Sequence, residues 1–126
     1  MIGKLALIGL AGGLGALCRH GLAGLMQRGA TPEAFPIGTF AVNMLGCLLF
    51  GVVWSATETR LGLAPELRII ALTGFMGAFT TFSTFAFENT QLLREGAWLL
   101  AGGNIIGQNA LGVALIFVGL KLGSLI

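Results

Sequence analysis

The sequence predicts an all-α integral membrane protein of four transmembrane helices, the third of them a candidate for a broken helix, and three observations lead there. First, 56% of the 126 residues are hydrophobic and only 10% charged, with a mean hydropathy of +0.92, whereas soluble domains carry roughly 25% charged residues. Second, the few charges divide the chain into four apolar stretches. About 20 apolar residues cross a bilayer, so four crossings occupy nearly the whole length. Third, the stretch Gly74 to Phe85, GFMGAFTTFSTF, lies inside an uncharged run between Arg68 and Glu88 yet is poor helix material. Glycine costs a helix interior about 1 kcal/mol relative to alanine, and threonine is also a weak helix former. Two readings of that stretch stand. One is a discontinuous helix whose freed backbone groups line a cavity or are buried in protein; the other is an intact helix whose glycines allow close packing.

The elements follow in order as a single unit over 1–126, with spans near 4–28, 37–57, 66–93 and 96–121. Lys4 followed by Leu5 to Cys18 has the look of a signal peptide. LGALC even resembles a lipoprotein cleavage site, but Leu17 stands where a small residue is wanted. Arg19 and the renewed apolar run Gly21 to Met26 fit a retained membrane helix better. The proline-bearing turn RGATPEAFP (Arg28 to Pro36) separates it from the second span, Ile37 to Thr57, and no charge falls between Glu33 and Glu58. Glu58 to Pro65 make the next connection. The third span carries the glycine–threonine stretch, Arg94 and Glu95 mark a tight turn, and the fourth span runs to about Leu120.

Four spans put both termini and the second loop on one side, with Lys4, Arg60, Arg68 and Lys121. The other side holds Arg28, Arg94 and, if it reaches that way, Arg19. So small an asymmetry is a feeble positive-inside signal. It permits insertion both ways and hence an antiparallel dimer, and it is equally compatible with a modest preference for one orientation. The patterns Gly9-xxx-Gly13, Ala11-xxx-Gly15 and Gly103-xxx-Gly107 offer close helix contacts. So small a bundle does not easily enclose a pathway alone, which favours a homodimer at least.

Composition also narrows the function. The net charge of +2 comes with no basic cluster, so nucleic acid is not an expected partner. Cys18 and Cys47 lie in apolar surroundings without metal-ligand spacing and read as small packing residues. No metal cluster, nucleophile–base pair or phosphate loop points to an enzyme.

Polar groups within membrane spans are costly and mark protein-facing or water-facing positions. Thr39 and Asn43 share a face of the second span. Thr81, Thr84, Glu88 and Gln91 make a stripe on the third, and Asn104 and Gln108 are four apart on the fourth. The result is three short polar ladders rich in neutral donors. For Asn43, Asn104 and Gln108 the plain alternative is interhelical hydrogen bonding, worth about 0.6 kcal/mol in membranes. Glu88 is placed near an interface. Arg19 is the sole interior cation, either reaching to the headgroups or standing at a pore mouth. Phe75, Phe79, Phe82 and Phe85 recur at spacings of three and four. Such a stripe commonly packs or meets lipid, but beside a donor ladder the positive ring edges can also meet an anion.

GTFAVNMLG (Gly38 to Gly46) and GFMGAFTTFSTFAFE (Gly74 to Glu88), with GALCRH (Gly15 to His20) upstream, strongly resemble the Fluc family of bacterial fluoride channels, also called CrcB. The likeness covers essentially the whole chain in span order and length. It implies an antiparallel, dual-topology homodimer in the bacterial inner (plasma) membrane, with two separate fluoride pathways. By this resemblance Phe82 and Phe85 form an aromatic box, Asn43 is the pore amide, Ser83 and Thr84 supply hydroxyls, and Glu88 lies toward a pore end. Asn104 and Gln108 make a fourth-helix track, Arg19 stands near an aqueous vestibule, and the carbonyls of Gly77 and Thr80 hold a structural sodium ion on the dimer axis. Two departures stand out. Family members commonly have two adjacent glycines in the break, whereas Ala78 follows Gly77, so the turn requires that position 78 avoid positive φ. Many members also carry a serine or similar residue where Gly112 aligns.

Fluoride is small and strongly hydrated, so a selective pore replaces its water with several moderate donor sites; fixed cations would trap it. The expected function is fluoride export by passive electrodiffusion, conferring fluoride resistance. The alternative is a proton-coupled anion exporter or small multidrug-type antiporter. That machine wants a carboxylate at mid-depth, and the first span has no acid while Glu88 lies toward one end of the third. In a third class, a non-conducting membrane scaffold, polar ladders on three helices are costly to justify but not forbidden.

Overall fold

The structure is a computed structural model, and it describes residues 2–29, 31, 34–59 and 65–126. Within the first expected turn Ala30, Pro32 and Glu33 lie outside the described residues, as does the stretch 60–64 of the second connection, including Arg60. All regular structure among the described residues is helical. Four helical passages are long and apolar enough to cross a membrane. They are α1 (Ile2–Met26), α2 (Ile37–Thr59), a composite third passage, and α6 (Trp98–Gly123). The third is assembled from α3 (Pro65–Ile69), a π-helical stretch (Ile70–Met76), a single turn α4 (Gly77–Phe79) and α5 (Phe82–Arg94).

Local chemistry accounts for the ends. α1 gives way to Gly29 at φ +81°, and the Gln27 side chain at its exit accepts the Gly38 N–H at 3.1 Å, tying α1 to the start of α2. Pro36 stands just before α2 and its carbonyl accepts the Phe40 N–H, a place where the missing proline N–H costs nothing. At the α5–α6 turn Gly96 takes φ +76°. The Ala97 N–H returns to the Leu92 carbonyl and the Gly96 N–H to Leu93, a Schellman closure that a glycine at this position makes cheap.

Packing is layered by glycine. α2 and α6 form the closest pair: a Cβ at Gly119 would overlap the Leu48 carbonyl oxygen, and one at Gly51 the Ile116 carbonyl. α1 lies against the π-helical stretch, where a Cβ on Gly15 would overlap the Phe75 carbonyl and one on Gly74 would press on Ala11 and Ile8. Of the small-residue patterns read from sequence, Ala11 and Gly15 are thus used within the chain. Gly9, Gly13 and Gly103 face open space. Val42, Leu72, Met76 and Phe79 form the buried apolar core between α2 and the third passage, flanked by Leu22, Leu49 and Phe75.

The third passage is broken, as expected, but the glycines are not the break. Gly77 is helical at φ −62°, ψ −31°. Extended backbone occurs instead at Thr80 (φ −83°, ψ 160°) and Thr81 (φ −151°, ψ 116°). Position 78 sits inside the α4 turn, and among the described residues only Gly29 and Gly96 have positive φ. A second glycine is therefore not needed there. Gly74 serves packing against α1, and the π-helical stretch just ahead is a widened turn of the kind that accumulates at functional sites.

Candidate functional site

Two extended threonines inside a membrane passage release backbone groups that must find partners. Asn43, on the α2 face opposite, supplies them. Its Oδ1 accepts the Thr81 N–H at 3.0 Å and its Nδ2 donates to the Thr81 carbonyl at 3.3 Å, so one side-chain amide pairs with both sides of Thr81. The Thr81 hydroxyl then caps α5, accepting the Thr84 N–H at 3.3 Å and donating to Thr84 Oγ1 at 3.0 Å. Ser83 Oγ stands 3.4 Å from the same oxygen. In an unbroken helix the Thr81 and Thr84 N–H groups would serve the carbonyls of Gly77 and Thr80. Both are engaged elsewhere, so the break sets free those two carbonyls.

Two cavities flank this point. The larger, of about 330 Å³, is bordered by Asn43, Thr80, Thr81, Phe82, Phe85 and Gln108, with Met44, Cys47, Phe50, Asn109 and Ile116 around them. Gly46 also borders it; a Cβ there would overlap the Thr80 methyl, so the glycine makes room for the break. The smaller, about 220 Å³, is bordered by Arg19, His20, Thr39, Thr81 and Thr84. Thr81 is common to both. Arg19 is thus brought into a polar recess rather than left on an apolar face. Beside it Thr39 donates to Glu88 Oε1 at 2.6 Å, and Glu88 Oε2 is the one buried side-chain polar atom without a partner among the described residues.

The aromatic stripe is divided by the break. Phe75 and Phe79 stack on the core side with centroids 5.8 Å apart. Phe82 and Phe85 sit beyond it, 5.6 Å apart and tilted by 43°, both on the larger cavity. Phe85 is 9% exposed and Phe82 79%, so one ring packs inward and the other stands open. Ser83 is exposed. Gln108 reaches the larger cavity and accepts from Asn43 Nδ2 at 2.8 Å. Asn104 does not: it is fully buried behind Gln108 and borders neither cavity. Gln91 lies a turn beyond Glu88 and accepts from Arg94.

Sequence reasoning missed two amides, Asn109 on the larger cavity and Asn89. Asn89 is 4% exposed and hydrogen-bonded to Asn104 at 3.1 Å. A signal for it exists. Asn89 and Asn104 lie equally far from the Gly96–Ala97 turn, and two antiparallel helices joined by a tight turn bring such positions face to face.

The family model described as "CrcB-like protein, Camphor Resistance (CrcB)" matches residues 6–120. The chain belongs to the CrcB family. Among curated relatives, this CrcB chain is 57% identical over 123 residues to the "Fluoride-specific ion channel FluC" of Nitratidesulfovibrio vulgaris (strain Miyazaki F), covering 98% of each chain. It is 54% identical to the protein of the same name from Nitrosococcus oceani, again over 98% of each. To that of Solidesulfovibrio magneticus it is 50% identical over the full length of both.

Proposed function

We propose that this CrcB protein is a fluoride-selective channel, not an enzyme, that lets cytoplasmic fluoride leave by passive electrodiffusion. The observation that carries the reading is the break at Thr80–Thr81, flanked by two cavities that share Thr81 among neutral donors, in a chain whose full-length relatives bear the name of fluoride-specific channels. The anion would pass from the Arg19 recess, by the hydroxyls around Thr84, to the larger cavity with its amides and the ring edges of Phe82 and Phe85. Neutral N–H, O–H and ring edges hold an anion moderately and at several points, as conduction requires.

The finer reading is an antiparallel, dual-topology homodimer in the bacterial inner membrane with two pores. The exposed Phe82 and the open-facing Gly9, Gly13 and Gly103 support a partner surface. A structural sodium ion belongs to the same reading. The carbonyls of Gly77 and Thr80 lose their helical donors to Asn43 and Thr81, so they are hard oxygen ligands of the type such a cation takes, shared between two subunits. The ion would pin the dimer and add positive potential to a largely neutral interior. A proton-coupled exporter is not favoured, because the carboxylate of the polar path, Glu88, already accepts from Thr39 and no acid lies on α1.

The test is fluoride efflux from liposomes containing the purified protein under a potassium diffusion potential, with chloride in parallel. Rapid voltage-driven fluoride loss with little chloride loss is expected, and Phe82→Ile or Phe85→Ile should slow it by tenfold or thereabouts, roughly one lost favourable contact to an ion. Efflux that requires a proton gradient would replace the channel with the exporter.

A further inference from the structure

The amides of the site form one directed chain. Asn43 Nδ2 donates to Gln108 Oε1 at 2.8 Å, Gln108 Nε2 to Asn104 Oδ1 at 3.0 Å, and Asn104 Nδ2 to Asn89 Oδ1 at 3.1 Å. Asn89 Nδ2 ends it on the Phe85 carbonyl at 2.7 Å. Each end permits one sense only. The Phe85 carbonyl can only accept, and the Thr81 N–H at the other end, on Asn43 Oδ1 at 3.0 Å, can only donate. Turning any single amide over would set N–H against N–H on one side and oxygen against oxygen on the other, leaving buried polar atoms unpaired. All four orientations are therefore fixed together.

The chain also decides which hydrogens remain for an anion. Asn43 commits both Nδ2 hydrogens, one to the Thr81 carbonyl and one to Gln108. Gln108 commits one Nε2 hydrogen to Asn104 and borders the larger cavity. Were the Gln108 amide reversed, the same position would turn an oxygen toward Asn104 and lose this arrangement. Asn89, at 4% exposure, touches neither cavity, and Asn104 is fully buried.

We propose that Asn89 is a positioning residue for anion passage: acting through Asn104, it holds the Gln108 amide from the buried end, as Asn43 holds it from the cavity end, so that the second Nε2 hydrogen is the donor offered to an anion in the larger cavity. The proposal rests on the channel reading above. Asn89 contributes no contact to the ion; it sets the polarity of a residue two hydrogen bonds away.

The experiment is fluoride efflux from liposomes loaded with the purified full chain at a density near one channel per vesicle. The fraction of vesicles that empty reports how much protein is assembled, and the rate within those vesicles reports each channel. Asn89→Leu should leave the emptying fraction near wild type and slow the per-channel rate by roughly tenfold, the factor for losing one hydrogen bond to an ion. Asn89→Ser keeps a hydroxyl that can donate to the carbonyl four residues back and accept from Asn104, so its rate should stay within about threefold of wild type. The double variant Asn89→Leu/Gln108→Leu should be no slower than Gln108→Leu alone, because both changes remove the same donor. An unchanged rate in Asn89→Leu, or a slowing that multiplies with that of Gln108→Leu, would overturn the proposal. Where Asn89→Leu does not assemble, Asn89→Ala against Asn89→Ser decides it: a slower alanine variant supports the chain, and equal rates reject it. A wild-type protein that passes no fluoride defeats the channel reading itself, whereas wild-type flux with indifferent variants defeats only the role of Asn89.

Discussion

The α2–α6 seam and the broken third passage solve opposite problems with overlapping residue types. In the seam the backbones come so close that glycine is a steric necessity: side chains at Gly51, Gly119 and Gly123 would meet carbonyl oxygens of the facing helix. Nothing polar is released there, because both helices run unbroken. In the third passage the backbone does open, yet it opens at two threonines, with Gly77 helical and unobstructed ahead of them. Threonine suits the role because its hydroxyl replaces part of what the backbone loses. Thr81 Oγ1 caps α5 in place of a backbone acceptor, and Thr80 Oγ1 joins the Thr80 N–H on the Met76 carbonyl at 3.0 Å. In this chain glycine brings helices together, and a hydroxyl with a facing amide takes one apart. The two jobs are separable by substitution.

The largest effect is expected in the seam. Gly119→Leu places a side chain where the Leu48 carbonyl already stands, and overpacking of this kind costs about 3 kcal/mol or more when neither backbone can move. Loss of the folded species in detergent, followed by size-exclusion chromatography, is the measurement. Asn43→Leu comes next. It strips the Thr81 N–H and carbonyl of their partners, at about 1–3 kcal/mol for each buried group left unsatisfied, and should lower the thermal unfolding midpoint and abolish fluoride efflux together. Thr81→Val removes the α5 cap alone and should cost about 1 kcal/mol, with Thr81→Ser restoring it, both read by thermal unfolding. Gly77→Ala should be the mildest: the added methyl meets only the Leu72 carbonyl at 3.7 Å, and alanine favours a helix by up to about 1 kcal/mol. An unfolding midpoint that falls sharply in Gly77→Ala would erase the contrast drawn here, since glycine would then matter at the break as well.

Much of this organisation is legible in the sequence because the bilayer makes its demands loudly. Long apolar runs, the first of them interrupted by Arg19, mark the four passages, and polar residues spaced four apart on α2 (Thr39, Asn43) and α6 (Asn104, Gln108) announce a polar interior. The location of the break was less legible. Weak helix formers extend from Gly74 to Thr84, and composition cannot say which of them yields; the answer depends on Asn43 across the interface, which rescues Thr81 and no other peptide. The π-helical stretch left no trace in periodicity; within it Gly74 and Phe75 lie close against α1. Asn104 read as a track residue because its spacing from Gln108 fixes a shared face but not the depth at which each side chain stops. Asn89 escaped notice for a similar reason: it is off the stripe of Thr81, Thr84 and Glu88, and only the pairing of α5 with α6 about Gly96 gives it meaning.

The place of Thr81 along the third passage carries a geometric consequence. It is equally far in sequence from Arg68 and Arg94, the two cations that bracket the passage. Cations at the ends of a membrane helix settle toward the two water boundaries, so the opened peptide falls at the centre of the electric field across the membrane. A charge that stops there has crossed about half of the voltage, close to 1 kcal/mol for each 100 mV. In the antiparallel dimer proposed above, the centre is also the one level that inversion leaves unmoved. A copy turned upside down about an axis in the membrane plane exchanges top for bottom everywhere else, but at Thr81 it returns the same residue at the same height. A break placed one turn higher would sit two turns away from its own image.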